Sequence, residues 1–474
     1  MDDYTCTNVQ NRPNWQNNDN TQYCGKLDST SAFLYDIHKT NNIGHKIIGI
    51  VHVAGQIDKE YMQNKIHNII QKYEFLSCII EPNVVEGLFG NNTQKLWRYV
   101  GSNIHNHFEF IQDFTSIEDI IEHSLNTPFK EHIPGWKIQM IYNKSTDITY
   151  IICNINHNYG DGAVVTKLVG ELFDNNTDKK DSCCPNIESK NHNGEKKRTS
   201  IINTIILFIK VLIIIIYRFI IAFTRHKQVR TNKINADTDA LTYKYRLIHT
   251  WKLDDIKQIK NHYGVTVNDV IQGIIIKSLF LYDNRSVDGG VDGDVNKTSY
   301  CSLSMFNLRD TKTELSSSSS SYIKEHNKIG FIVIPNNISN DMGVEDLLHD
   351  IHDITTFYKT TPVVPITTSL IQTYYNIHQE GAINSVENLY SVCDFILSNY
   401  ATKWSNKTID GHRVTHISNT VSPHKIPKLY SIISYDDEIT MNMSYIQGAM
   451  GGIQNIEIYR SCVMQAYKWF MEQT

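Results

Sequence analysis

The chain has 474 residues, 41% hydrophobic and 20% charged, with a formal net charge of −5. That is material for two domains or two large halves of one, and the slightly acidic balance excludes bulk nucleic-acid binding. The nine cysteines include no C-x-x-C pair, which argues against a zinc site, and their scatter is that of reduced thiols in a cytosol-facing protein.

Residues 1–24 are polar, rich in Asn and Asp, and lack the basic and apolar regions of a signal peptide, so they are expected to be disordered. Lys46 to Val53 reads as a strand. Asp58 to Tyr73 follows with helical spacing, Met62, Ile66, Ile69 and Ile70 on one face. Short strands are expected over Leu76 to Ile80 and Lys95 to Val100. Ser116 to Leu125 reads as a helix with Ser116 as its N-cap. Trp136 to Tyr142 and Ile148 to Cys153 read as paired strands, and Ala163 to Phe173 as a helix.

A charged linker runs from Asn175 to Arg198. Ile201 to Phe223 is the most apolar segment, long enough to raise a membrane span. Lys210 and Arg218 interrupt it, and Asn203, Lys210, Tyr217 and Thr224 recur every seven residues. Basic groups flank it, Lys196, Lys197 and Arg198 before, Arg225, His226, Lys227 and Arg230 after. This is the pattern of a helix lying in the interface of an anionic leaflet. Beyond it, helices are expected over Leu253 to His262, Thr266 to Leu281, Val344 to Lys359, Ile366 to His378 and Ile456 to Phe470. Strands are expected over Ser299 to Leu308, Lys328 to Ile334, Ser391 to Leu397, Val414 to Ser418, Leu429 to Tyr435 and Ile439 to Tyr445. The Gly/Asp stretch Ser286 to Asn296 lacks the ligand pattern of a calcium loop, and the six serines Ser316 to Ser321 read as linker. The chain is thus mixed α/β, in two halves of similar style.

One stretch joins a strand to a helix through a histidine: Asn156-His157-Asn158-Tyr159-Gly160-Asp161-Gly162. A neutral imidazole on a loop at a strand end is suited to take a proton from an alcohol near pH 7. Asp161 would either brace the loop against a cation elsewhere or cap the following helix. By itself so short a pattern is more often that of an ordinary loop histidine beside a capping aspartate.

This stretch resembles the HHxxxDG motif of the CoA-dependent acyltransferases, with Asn156 in place of the first His and His157 at the catalytic position. Other segments resemble the wax ester synthase/diacylglycerol acyltransferase family. They are Leu27-Asp28-Ser29-Thr30-Ser31-Ala32-Phe33, Pro134-Gly135-Trp136, Val265-Thr266-Val267-Asn268-Asp269-Val270-Ile271, Ser304-Met305-Phe306-Asn307-Leu308-Arg309-Asp310, Asn327-Lys328-Ile329-Gly330-Phe331 and Leu397-Ser398-Asn399-Tyr400. They fall in family order, and the apolar insert resembles plant-type members.

The resemblance implies an α/β (α+β) fold of two chloramphenicol-acetyltransferase-like subdomains, a pseudodimer with a central substrate tunnel. Residues 1–24 would be a disordered N-terminus and 25–174 the N-terminal subdomain. Residues 175–235 would be a linker holding the membrane-associated segment 201–223, and 236–474 the C-terminal subdomain. It implies that His157 is the general base for acyl transfer from acyl-CoA, a co-substrate, to a long-chain alcohol or diacylglycerol, without metal or cofactor. Asp161, Gly162, Asn156, Asn268, Asp269 and Arg309 would support the site. Asp269, in Thr266-x-x-Asp269, also reads as a helix cap, and Arg309 either pairs with Asp161 or ends a strand in solvent. A single membrane crossing at 201–223 would separate the two halves, so that segment is expected to lie in-plane, re-entrant or packed on the protein. The enzyme would then sit on the cytosolic face of the endoplasmic reticulum or plasma membrane. A short-chain alcohol acetyltransferase, a condensation-type enzyme and a non-catalytic membrane-bound homologue are the alternatives.

Overall fold

The computed structural model describes residues 23–39, 44–87, 90–174, 241–285, 298–309, 326–448 and 455–474. The expectations for 1–22, for the 175–235 linker and its apolar segment 201–223, for the Gly/Asp stretch and for the serine run lie outside the described residues. Tyr23 and Cys24, assigned above to a disordered N-terminus, belong to a strand.

In chain order the first half holds β1 (Tyr23–Lys26), α1 (Ser29–Lys39), β2 (Lys46–Ala54), α2 (Lys59–Lys72), β3 (Cys78–Gly87), β4 (Gly90–Tyr99), α3 (Ile104–His107), β5 (Phe108–Ile111), α4 (Ile117–Asn126), β6 (Trp136–Asn143), β7 (Ile148–Asn156) and α5 (Gly162–Gly170). The second holds β8 (Tyr243–Lys252), α6 (Leu253–Tyr263), α7 (Val267–Asp283), β9 (Ser299–Asn307), β10 (Ile329–Asn337), α8 (Val344–Thr360), α9 (Val363–Ile377), α10 (Gln379–Tyr390), β11 (Phe395–Tyr400), β12 (Thr408–Ile409), β13 (His412–Val421), β14 (Lys428–Tyr435), β15 (Glu438–Ile446) and α11 (Ile456–Met471).

Local chemistry starts most of these elements. Asp58 caps α2 by accepting from the Tyr61 amide at 2.7 Å, and Met62, Ile66 and Ile69 turn inward one helical turn apart. Ser116 caps α4 from the Asp119 amide at 3.0 Å. Thr266 and Asp269 close a capping box on α7. The strands expected at Leu76 to Ile80 and Lys95 to Val100 are the inner ends of a longer hairpin, β3–β4. Leu76 itself lies in a 3₁₀ turn. The strand expected from Ser391 begins only at Phe395, and α1, β8 and α10 were not anticipated. α10 was legible: Ala382, Val386 and Tyr390 recur every four residues and are its buried positions.

Two six-stranded sheets and a three-stranded one form the framework. The first runs β12-β13-β2-β7-β6-β5, the second β10-β9-β11-β14-β15-β8, and the small sheet β1-β4-β3. The sequence cut at 235 therefore does not separate the sheets. Residues 236–474, expected as one subdomain, supply β12 and β13 to the first sheet, with β13 antiparallel to β2 from Val414↔Val53 to Val421↔Ile47. One core lies against α1, α2 and α5 and continues to Leu303, Ile396 and Leu429 of the second sheet. The other face of that sheet packs under α6, α7, α8 and α11.

Candidate active site

β7 pairs antiparallel with β2 in a register that puts Asn156 opposite Lys46. One step further out, His157 and His45 face each other. The His157 amide donates to the His45 carbonyl at 2.7 Å, and the two imidazoles stack at 4.8 Å with planes 13° apart. His157 opens a 3₁₀ turn, His157–Tyr159, and Asn156 caps it, its side-chain oxygen accepting from the Asn158 amide at 3.1 Å. Asn156, which breaks the family pattern, is thus a turn cap. Gly135 lies close behind this turn, where a Cβ would come within 3.1 Å of the Tyr159 ring and 3.2 Å of Asn156.

The His157 ring is held from the far half of the chain. Asn327 donates through its amide nitrogen to the His157 carbonyl at 2.8 Å and to Ser31 Oγ at 3.0 Å. Its amide oxygen therefore faces His157 Nδ1 at 3.1 Å, which makes Nδ1 the protonated nitrogen and leaves the lone pair on Nε2. Burial lowers the His157 pKa below its ordinary value, against the opposing pull of Asp161 and Asn327. The His45 pKa is pushed well below its ordinary value by burial and by the neighbouring imidazoles, while its Nε2–H donates to the Ser422 carbonyl at 2.6 Å. Both rings are neutral at pH 7.

Asp161 is the brace. One carboxylate oxygen accepts from the Ala163 and Val164 amides at 3.1 and 3.3 Å and so caps α5. The other accepts from the Lys328 amide at 2.9 Å and pairs with Arg309. Arg309 also donates to the His326 carbonyl at 3.2 Å, and His326 Nδ1–H donates to the Tyr159 carbonyl at 2.9 Å. The pair is buried on both sides, where an isolated charge would be costly, and backbone groups bond each partner further. Of the two readings of Arg309, the structure has the ion pair.

The other expected site residues lie differently. Among the described residues, the Asn268 side chain bonds Asn399 at 3.2 Å and not His157. Asp269 is wholly buried and spends its carboxylate on Thr266, His352 and Thr355. Burial pushes its pKa up, but those donors outweigh burial and hold it below the usual range. It secures α7 against α8 and does not belong to the His157 cluster. Gly162 opens α5, and a Cβ there would meet the Tyr400 ring at an ordinary 3.5 Å. His45, Asn327 and Ser31 were not foreseen as site residues. Asn327 stood inside a recognised segment, but nothing in its neighbours showed its partner.

His157 and His45 line a cavity with about 670 Å³ of empty space, part of it open to solvent. Phe33 and Leu34 of α1, Leu303 and Met305 of β9, Phe331 of β10 and Ile371 of α9 make most of its wall. No cluster of residues suited to hold a metal occurs among the described residues.

No family model matches the chain. Two plant proteins of Arabidopsis thaliana are similar in sequence. Wax ester synthase/diacylglycerol acyltransferase 3 is 23% identical over 192 residues, 40% of this chain and 38% of that protein. Wax ester synthase/diacylglycerol acyltransferase 2 is 21% identical over 367 residues, 73% of each. The chain thus spans less than two fifths of the first relative in the matched region. In structure, the wax ester synthase/diacylglycerol acyltransferase from Marinobacter aquaeolei VT8 superposes with a TM-score of 0.56 at 13% identity, over 94% of this chain and 99% of that one. The chain is thus similar in sequence and in fold to wax ester synthase/diacylglycerol acyltransferases. Its fold is the paired α/β fold expected from the resemblance.

Proposed function

We propose that the chain is a CoA-dependent O-acyltransferase that moves a long-chain acyl group from acyl-CoA to the hydroxyl of a long-chain alcohol or diacylglycerol, with His157 as general base. One observation carries the reading: a buried, neutral imidazole with its Nδ1–H fixed by Asn327, at the wall of an apolar cavity. Nε2 takes the hydroxyl proton as the oxygen attacks the thioester carbonyl. The tetrahedral intermediate collapses with cleavage of the carbon–sulfur bond, and the imidazolium returns the proton to the CoA thiolate. Holding both substrates beside one base supplies much of the acceleration. Acyl-CoA is consumed as a co-substrate, and no resident cofactor takes part in this scheme.

The apolar lining of the cavity suits an alkyl chain. Asn156 does not argue for a decayed site, because its carboxamide keeps the turn that presents His157. Lipid substrates also call for contact with a lipid surface. Among the described residues no single helix is long and apolar enough to cross a membrane. α9, however, exposes Leu370, Tyr374 and Ile377 at 43%, 44% and 46%, all on its outer side. We assign that stripe to a membrane surface on the cytosolic side, with the segment 201–223 as a further contact.

The test is purified full-length protein with palmitoyl-CoA and either hexadecanol or dioleoylglycerol. Ester should form, and His157→Ala should lower the rate at least ~100-fold with unchanged circular dichroism. A folded His157→Ala protein with undiminished ester formation would sink the assignment of the base.

A further inference from the structure

The cavity beside His157 contains one polar point that the chemistry above does not use. Its wall includes Thr30 at the start of α1 and Gln372 on α9. The Gln372 amide nitrogen donates to Thr30 Oγ1 at 2.6 Å. That bond uses one of the two amide hydrogens, and no described residue takes the other hydrogen or donates to the amide oxygen. The other polar wall groups have bonds of their own. Thr368 Oγ1 donates back to the Val364 carbonyl at 2.9 Å, and His424 Nε2 donates to the Ile37 carbonyl at 3.0 Å. The His45 and His157 ring N–H groups are spent on Ser422 and Asn327. Gln372 therefore keeps both a donor and an acceptor to offer a ligand, beside the Thr30 hydroxyl that holds it.

It is also close to the reacting centre. Thr30 precedes Ser31, whose hydroxyl accepts from Asn327, the residue that holds His157. Gln372 and His157 line the same cavity, so an acceptor that brings its hydroxyl to His157 also passes Gln372, and a glycerolipid carries further oxygens beside that hydroxyl. A plain alkanol has no second oxygen, so it would bury the carboxamide against methylene groups and leave it unpaired, which costs binding.

We infer that Gln372, held by Thr30, recognises a second oxygen function on the acyl acceptor, so that the site favours a glycerolipid over a simple long-chain alcohol. The inference rests on the acyltransferase reading above and names the acceptor for that same site. Gln372 touches substrate as a specificity residue, while His157 does the chemistry.

The experiment compares kcat/KM for dioleoylglycerol and hexadecanol, each with palmitoyl-CoA, in wild type and in Gln372→Leu. The variant should lower kcat/KM for dioleoylglycerol about tenfold more than for hexadecanol, the loss expected for one substrate hydrogen bond. Gln372→Met, similar in length and more accommodating in packing, should show the same change of ratio and keeps the test alive if the leucine variant does not fold. A ratio unchanged in the folded variants overturns the inference and leaves the acyltransferase reading standing. Wild type that acylates neither acceptor overturns both.

Discussion

Asn327 and Asp161 divide the work of holding the His157 turn. Asp161 fixes the backbone, since it caps α5 and takes the Lys328 amide and Arg309 at once. Asn327 fixes the ring, since its oxygen takes the Nδ1 proton. Asn327→Leu should lower kcat about 10-fold or more with little change in KM for acyl-CoA, because the ring loses its preferred tautomer and orientation. The same bond favours the imidazolium, so the acidic limb of kcat/KM should move to lower pH in the variant. A rate loss with no movement of that limb would make Asn327 merely structural. At this scale the sequence was legible where a residue's partners are near in the chain. The histidine, the capping Asp161 and the box Thr266-x-x-Asp269 could all be read. His45, Ser31 and Asn327 could not, because their meaning depends on positions 112, 126 and 170 residues from His157.

α9 is two-faced in an unusual way. Its fifteen residues include no Asp, Glu, Lys or Arg. Thr368, Ile371 and Gln372 line the cavity, while Leu370, Tyr374 and Ile377 face out. It packs closely on β10 over Gly330, where a Cβ would lie 2.6 Å from both Thr368 and Val364. Val84 of β3, the most exposed of the large hydrophobics at 66%, stands opposite Thr93, which bonds Gln379 just beyond α9. Val84 thus stands near the end of the α9 stripe, while Ile458 is exposed separately on α11. Replacing Leu370, Tyr374 and Ile377 together by Ser should reduce flotation with phosphatidylcholine/phosphatidylserine vesicles at least ~10-fold. Each buried apolar side chain contributes on the order of 1–2 kcal/mol, and the melting temperature should change little because the three are solvent-exposed. Flotation equal to wild type would remove the stripe from the docking face. Periodicity predicted this helix, but it could not say that both faces would be apolar for different reasons.

At the scale of the whole molecule, the two halves are locked by the strands that the second half adds to the first sheet and by histidines packed at that seam. β13 closes the first sheet on β2, and the ring of His52 lies 4.9 Å from His416 across that pairing. Burial lowers the pKa of His52 to about 3 and that of His424 to about 4. Unfolded chains take up these protons below about pH 6.5, while the folded protein does so only near those lowered values. Stability should therefore be unaffected by these groups above about pH 7. It should fall as pH drops from about 6.5, by on the order of 2 kcal/mol for each of the two at pH 5. Thermal melts between pH 7.5 and 5 test this, and His52→Leu should flatten the slope. A melting temperature independent of pH over that range would contradict it. By itself the sequence determined the mixed α/β character, most element positions, and the turn that presents His157 before a capped helix. These are set by side-chain periodicity and by hydrogen bonds within a few residues. Only the tertiary structure decided that Asn156 is a cap, that Arg309 meets Asp161, that the Asn268 side chain bonds Asn399 while Asp269 serves the α7–α8 contact, and that His45 and Asn327 frame the ring. Such contacts follow from strand register and from packing between distant segments, neither of which leaves a local trace in the chain.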